Sequence, residues 1–165
     1  MNSHHQVIPE CYADTLLVEI LGFTRPNHQL GIGVVFNEIH KNFKKRQAVG
    51  IIDDDKRKPK DLDLFNFVEE RAGIKKLRSS DLPNTTILII SPAFEDWVFE
   101  NARVVDVDPG KYGFGSSKDF QKACKRIDVN KDEQVKQLLN TLRQKKAPGF
   151  ECLQTWITEA IGEIF

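Results

Sequence analysis

Three aspartates, Asp53, Asp54 and Asp55, stand in a row directly after the apolar run 48–52, and the basic stretch KRKPK (56–60) follows them. Adjacent carboxylates repel one another unless a cation compensates. Hard divalent ions such as Mg²⁺ take oxygen ligands, commonly one or two carboxylates plus a substrate phosphate. Side chains alternate along a strand, so Asp53 and Asp55 point to one side and Asp54 to the other. A second acid, Glu19, interrupts the apolar run TLLVEIL (15–21). A buried carboxylate needs a partner. Two readings follow. The aspartates form a solvated turn, or Glu19, Asp53 and Asp55 converge on a metal ion. The neighbouring lysines either meet phosphate oxygens or form a solvated basic face.

The elements that must position these groups can be read from periodicity. Apolar runs at 15–21, 48–52 and 85–91 predict strands covered on both faces. Helical spacing predicts helices over 33–46, with Val35, Ile39 and Phe43 aligned, and over 62–73, with Leu64, Phe67 and Val68 on one face and Gly73 as C-cap. A third helix, over 91–105, opens on Ser-Pro with acids in its first turn. The alternation predicts an α/β fold: a parallel sheet of about four strands with right-handed crossovers, flanked by helices. Residues 106–117 read as a loop. Residues 116–165 read as a helical extension whose first helix is capped by Ser116 and Asp119. One domain over 12–165, with its core at 14–105, is expected. Ligands of such sheets bind beyond the carboxyl ends of the strands, where the acids fall.

Composition narrows the function classes. The chain has 165 residues with 24 basic and 24 acidic side chains, formal net charge +0, so a strongly basic nucleic-acid footprint is absent. Cys11, Cys124 and Cys152 lack C-x-x-C spacing, which points to reduced thiols and a cytoplasmic location. No signal-peptide core and no apolar run long enough for a membrane span is seen. DPGKYGFG (108–115) misses the spacing of a phosphate-binding loop, and GIG (31–33) lacks the third glycine of a dinucleotide fingerprint. Phe94 and Trp97 read as core residues.

LLVEILG and IIDDD resemble the Toprim pattern, a glutamate at the end of the first strand and an Asp-x-Asp at the end of a later one. ILIISPAFEDWVFENA is similar to a segment of small RloB-like Toprim proteins of bacterial defence loci, through Pro92, Phe94, Glu95 and Trp97. The resemblance spans about residues 14–105. It is also shared with nucleases of the overcoming-lysogenisation-defect group. It implies a Toprim-like (Rossmann-like) fold and a Mg²⁺- or Mn²⁺-dependent nuclease acting on DNA or RNA, with a place in phage defence. Asp53, Asp55 and Glu19 would hold the metal, with Glu19 alternatively a general acid/base. Glu95 would be a fourth carboxylate at a helix N-terminus, and Lys118 would face the transition-state phosphate. Nucleic acid is the implied partner. A separate ATPase or another defence subunit would supply any energy coupling, and a homo-oligomer is compatible with this picture. A different class, a non-catalytic Toprim-like binding module, is motivated by the neutral charge and by Ile20 following Glu19 where the pattern has glycine. A receiver-like phosphotransfer domain disagrees with the placement of the acids.

Overall fold

The computed structural model describes residues 3–54 and 58–162. Its sheet has five strands: β1 (Val7–Pro9), β2 (Ala48–Asp53), β3 (Asn66–Arg71), β4 (Ile74–Arg78) and β5 (Thr85–Ile90), in the order β1-β2-β5-β4-β3. β1, β2 and β5 run parallel, while β4 pairs antiparallel with both β5 and β3. The sheet is therefore mixed, where the sequence predicts parallel strands only. The central strands β2 and β5 are buried along their whole length, as their largely apolar sequences lead one to expect.

Among the described residues six helices cover the two faces. α2 (Ile32–Asn42) packs on one, where Val35, Phe36 and Ile39 meet Ala48, Ile52, Ile87 and Ile89. The other face carries α1 (Tyr12–Ile20), α3 (Phe94–Val104), α4 (Ser117–Cys124), α5 (Glu133–Gln144) and α6 (Pro148–Ile161), packed on Val49, Ile51, Leu88 and Ile90. The predicted C-terminal helices form, and Ser116 Oγ caps α4 by accepting the Asp119 N–H at 3.2 Å. Phe94 and Trp97 are core residues, and Trp97 lies flat against Phe150 with centroids 5.2 Å apart.

Two predicted elements change type. The run 15–21 belongs to helix α1, not to a first strand. Ala13, Leu16, Leu17 and Val18 share its buried side, a helical spacing, and Glu19 turns to solvent. The helix starts at Tyr12, where Cys11 Sγ accepts the Asp14 N–H at 3.4 Å. The true first strand is the three-residue β1, too short to show a period. The predicted helix over 62–73 is a 3₁₀ turn (Lys60–Leu64) followed by the hairpin β3–β4. Gly73 supplies its positive φ to the two-residue hairpin turn, with Ala72 and Gly73 at φ 50° and 76°. Leu64, Phe67 and Val68, read as one helical face, are exposed on and beside the edge strand. Among the described residues no helix is long and apolar enough to cross a membrane.

Candidate functional site: an acidic cleft at the ends of the parallel strands

Strands β1 and β2 and helices α1 and α3 deliver acids to one place. Glu10 follows the last residue of β1 and is buried. Its Oε2 accepts the backbone N–H of Asp53 at 3.1 Å. Asp53 ends β2 and is 5% exposed. Asp14 is buried in the first turn of α1, and Glu95 lies in the first turn of α3, the helix that follows β5. A helix N-terminus favours negative charge, which lowers the cost of holding these acids close together.

A cleft of about 240 Å³ opens at this point, lined among others by Cys11, Tyr12, Asp53, Glu95, Gln121 and Lys125. Gln121 Nε2 donates to Glu95 Oε1 at 2.7 Å. The field in the cleft is negative. The Cys124 thiol is pushed up first by burial and then by the charges of Glu95, Asp14, Asp132 and Asp53. Cys11 is likewise pushed up by burial, with Asp14 and Glu10 adding to it.

Asp54 points away from this cleft, as strand alternation requires. Lys58 Nζ lies 2.5 Å from its Oδ1, while Lys75 Nζ and Ser91 Oγ reach its Oδ2 at 3.0 and 2.8 Å. Burial raises its pKa, but these donors and charges outweigh burial and hold it at about 2. Asp54 thereby ties the segment leaving β2 to β4 and to the end of β5.

The expected set is brought together only in part. Asp53 and Glu95 share the cleft. Asp55 lies outside the described residues. Glu19 is not in the cleft: it sits near the C-terminal end of α1, exposed, in a separate hollow with Tyr12, Ile127 and Asn130. Its carboxyl is pushed up by partial desolvation. The cause is the helix that replaces the predicted strand, and the glutamate that does end a first strand is Glu10. Lys118 is exposed on α4 and does not line the cleft; Lys125, two turns on, does. Glu10, Asp14 and Lys125 escape the sequence reading. The signal that points to Glu10 is an acid directly after an apolar tripeptide, with a helix start behind it.

Among the described residues no group of three or more His, Cys, Asp or Glu side chains is arranged to hold a metal ion. The oxygen donors of Asp53 and Glu95 suit a hard divalent ion that keeps waters and takes a substrate phosphate, better than a closed protein cage. Comparison with protein-family models, with curated proteins and with solved structures returned no match for this chain.

Proposed function

We propose that the chain is a Toprim-type, Mg²⁺- or Mn²⁺-dependent nuclease that cleaves phosphodiester bonds at the acidic cleft. The observation that carries this reading is the meeting of Asp53 and Glu95 in one cleft, with Glu10 bonded to the backbone of Asp53. The Toprim pattern asks for a glutamate at the end of the first strand, and Glu10 takes that role here in place of Glu19. Asp55 completes the Asp-x-Asp at the level of sequence. A bound divalent ion would polarise the phosphate and lower the pKa of a water at the site.

The chain's own residues do the rest. Asp53 and Glu95 present carboxylate oxygens to the cleft. Glu10 fixes the backbone at the end of β2, so the direction of Asp53 is set before substrate arrives. Gln121 holds one oxygen of Glu95 and leaves the other to bind or to accept a proton. The test is cleavage of end-labelled DNA and RNA with Mg²⁺ or Mn²⁺. Asp53→Ala should abolish cutting, Glu95→Gln should cut far more slowly, and Glu19→Gln should cut like wild type. Intact cutting by Asp53→Ala removes the proposal.

The second reading, a non-catalytic binding module, is favoured by the same Gln121–Glu95 bond, which occupies a carboxylate that catalysis would use. Absence of cleavage of any nucleic acid, together with retained binding, selects it.

A further inference from the structure

A hollow of about 260 Å³ lies where the β3–β4 turn meets α3 and the first residue of α6. It shares no described residue with the acidic cleft. Three apolar side chains in its wall stand in water: Pro92, Val104 and Pro148. Trp97 lies deeper in the wall and is 2% exposed. The shape is set before any ligand arrives. Two of the apolar groups are proline rings, and the indole of Trp97 is fixed flat on Phe150 with centroids 5.2 Å apart. Little side-chain freedom remains to be lost on binding.

The polar groups of the wall decide what fits. Each side chain there that can donate a hydrogen bond is engaged within the fold. Ser91 Oγ donates to Asp54 Oδ2 at 2.8 Å, and Trp97 Nε1 donates to the Ala72 carbonyl at 2.9 Å. Asn101 Nδ2 donates to the Trp97 carbonyl at 2.8 Å, while its Oδ1 accepts the Gly149 N–H at 2.7 Å. Of the two carboxylates in the wall, Glu100 is held through both oxygens by Arg103, at 2.8 and 2.5 Å. Asp96 is the other. It is exposed, and among the described residues it has no hydrogen-bond or ion-pair partner. The hollow thus offers apolar surface and one uncompensated negative charge. An anion is repelled, and a neutral apolar molecule leaves Asp96 unused. The complementary ligand brings one ammonium group on an apolar body. The volume lies just under the roughly 300 Å³ at which drug-sized pockets begin, so the body is about one ring with a short tail.

We propose that this hollow binds a small primary amine, with the ammonium on Asp96 and the apolar body against Trp97 between Pro92, Val104 and Pro148. The site is independent of the nuclease reading, because the hollow and the acidic cleft have no described residue in common. A ligand seated there touches the β3–β4 turn, α3 and the start of α6 together, and so ties the edge hairpin to the helices.

NMR titration of the isotope-labelled full chain at neutral pH tests it, with phenethylamine, phenethyl alcohol and hydrocinnamate as probes of one shape and three charges. The amine should shift the signals of Ala72, Gly73 and the Trp97 indole N–H, saturating with a Kd of about a millimolar or tighter, as suits so few atoms. The alcohol should bind about three- to five-fold more weakly, which is what one exposed ion pair is worth, and the acid more weakly still. Asp96→Asn should lower the amine's affinity by the same about three- to five-fold and leave the alcohol's unchanged. Val104→Arg sets a cation in the wall and should weaken the amine more than the alcohol. Asp106→Asn, an acid outside the hollow, should change neither. All three positions are exposed, so the variants should keep the dispersed spectrum of the folded chain. An alcohol that binds as tightly as the amine, a preference that survives Asp96→Asn, or an equal loss in Asp106→Asn overturns the site. So do shifts scattered away from the hollow, or none by about ten millimolar amine.

Discussion

Replacing Asp54 by asparagine gives the best-defined stability change in the molecule. The aspartate is held by Lys58, Lys75 and Ser91, and its pKa falls from an ordinary 3.8 to about 2. A shift of that size corresponds to at most about 2.5 kcal/mol of linkage stabilisation. The two lysine side chains are 33% and 35% exposed. Solvent screening therefore reduces the expected loss in Asp54→Asn to about 1 kcal/mol. The sign follows from the depressed folded-state pKa. The contribution is complete above the unfolded value of 3.8 and is lost as the pH falls through it toward 2. By about pH 3 roughly half of it should be gone. Urea unfolding of wild type and variant at pH 7 and pH 3, in low salt, measures both quantities. Equal midpoints at pH 7, or a gap that does not narrow at pH 3, would show that the lysines and Ser91 do not stabilise the ionised carboxylate in the folded state.

Gly149→Ala places a methyl 2.6 Å from Asn101 Nδ2 and from Trp97 Cζ2 where α6 crosses α3. It should cost about 2 kcal/mol, a fall in Tm of roughly 4–8 °C in a thermal scan. Trp97→Phe removes the indole N–H that donates to the Ala72 carbonyl at 2.9 Å and pins the hairpin turn to α3. A loss of about 1–2 kcal/mol by urea unfolding, with faster amide exchange in the β3–β4 turn, is expected. Glu19→Gln should show an equal or slightly higher urea midpoint at pH 7, because folding pushes that carboxyl up and so disfavours its charged form.

What the sequence made legible were the elements with a long or unambiguous period. β2 and β5 are short runs rich in β-branched residues, and α3 follows a Ser-Pro step with acids in its first turn. Their ends carry Asp53 and Glu95, so half of the acidic cleft was already in view. The remainder was hidden for definite reasons. Val7–Pro9 is three residues long and has no periodicity to detect, so local pattern does not mark Glu10 as the acid that follows a strand. The run 15–21, taken without the three helical residues before it, looks like a buried strand, and that placed Glu19 at the wrong end of the wrong element. Residues 66–71 form an edge strand with apolar residues facing water, and they owe their conformation to pairing with β4 rather than to local pattern. Lys125 enters the cleft only because α4 packs beside α3, a tertiary fact that spacing along the chain does not contain.

Calorimetric titration of the purified protein with Mn²⁺ tests the acidic cleft most directly. Wild type should show a site tighter than millimolar, Asp53→Asn should weaken it at least about ten-fold, and Glu19→Gln should leave it unchanged. A wild-type protein with no such site, or one whose affinity survives in Asp53→Asn but is lost in Glu19→Gln, would contradict a metal held at the ends of the parallel strands.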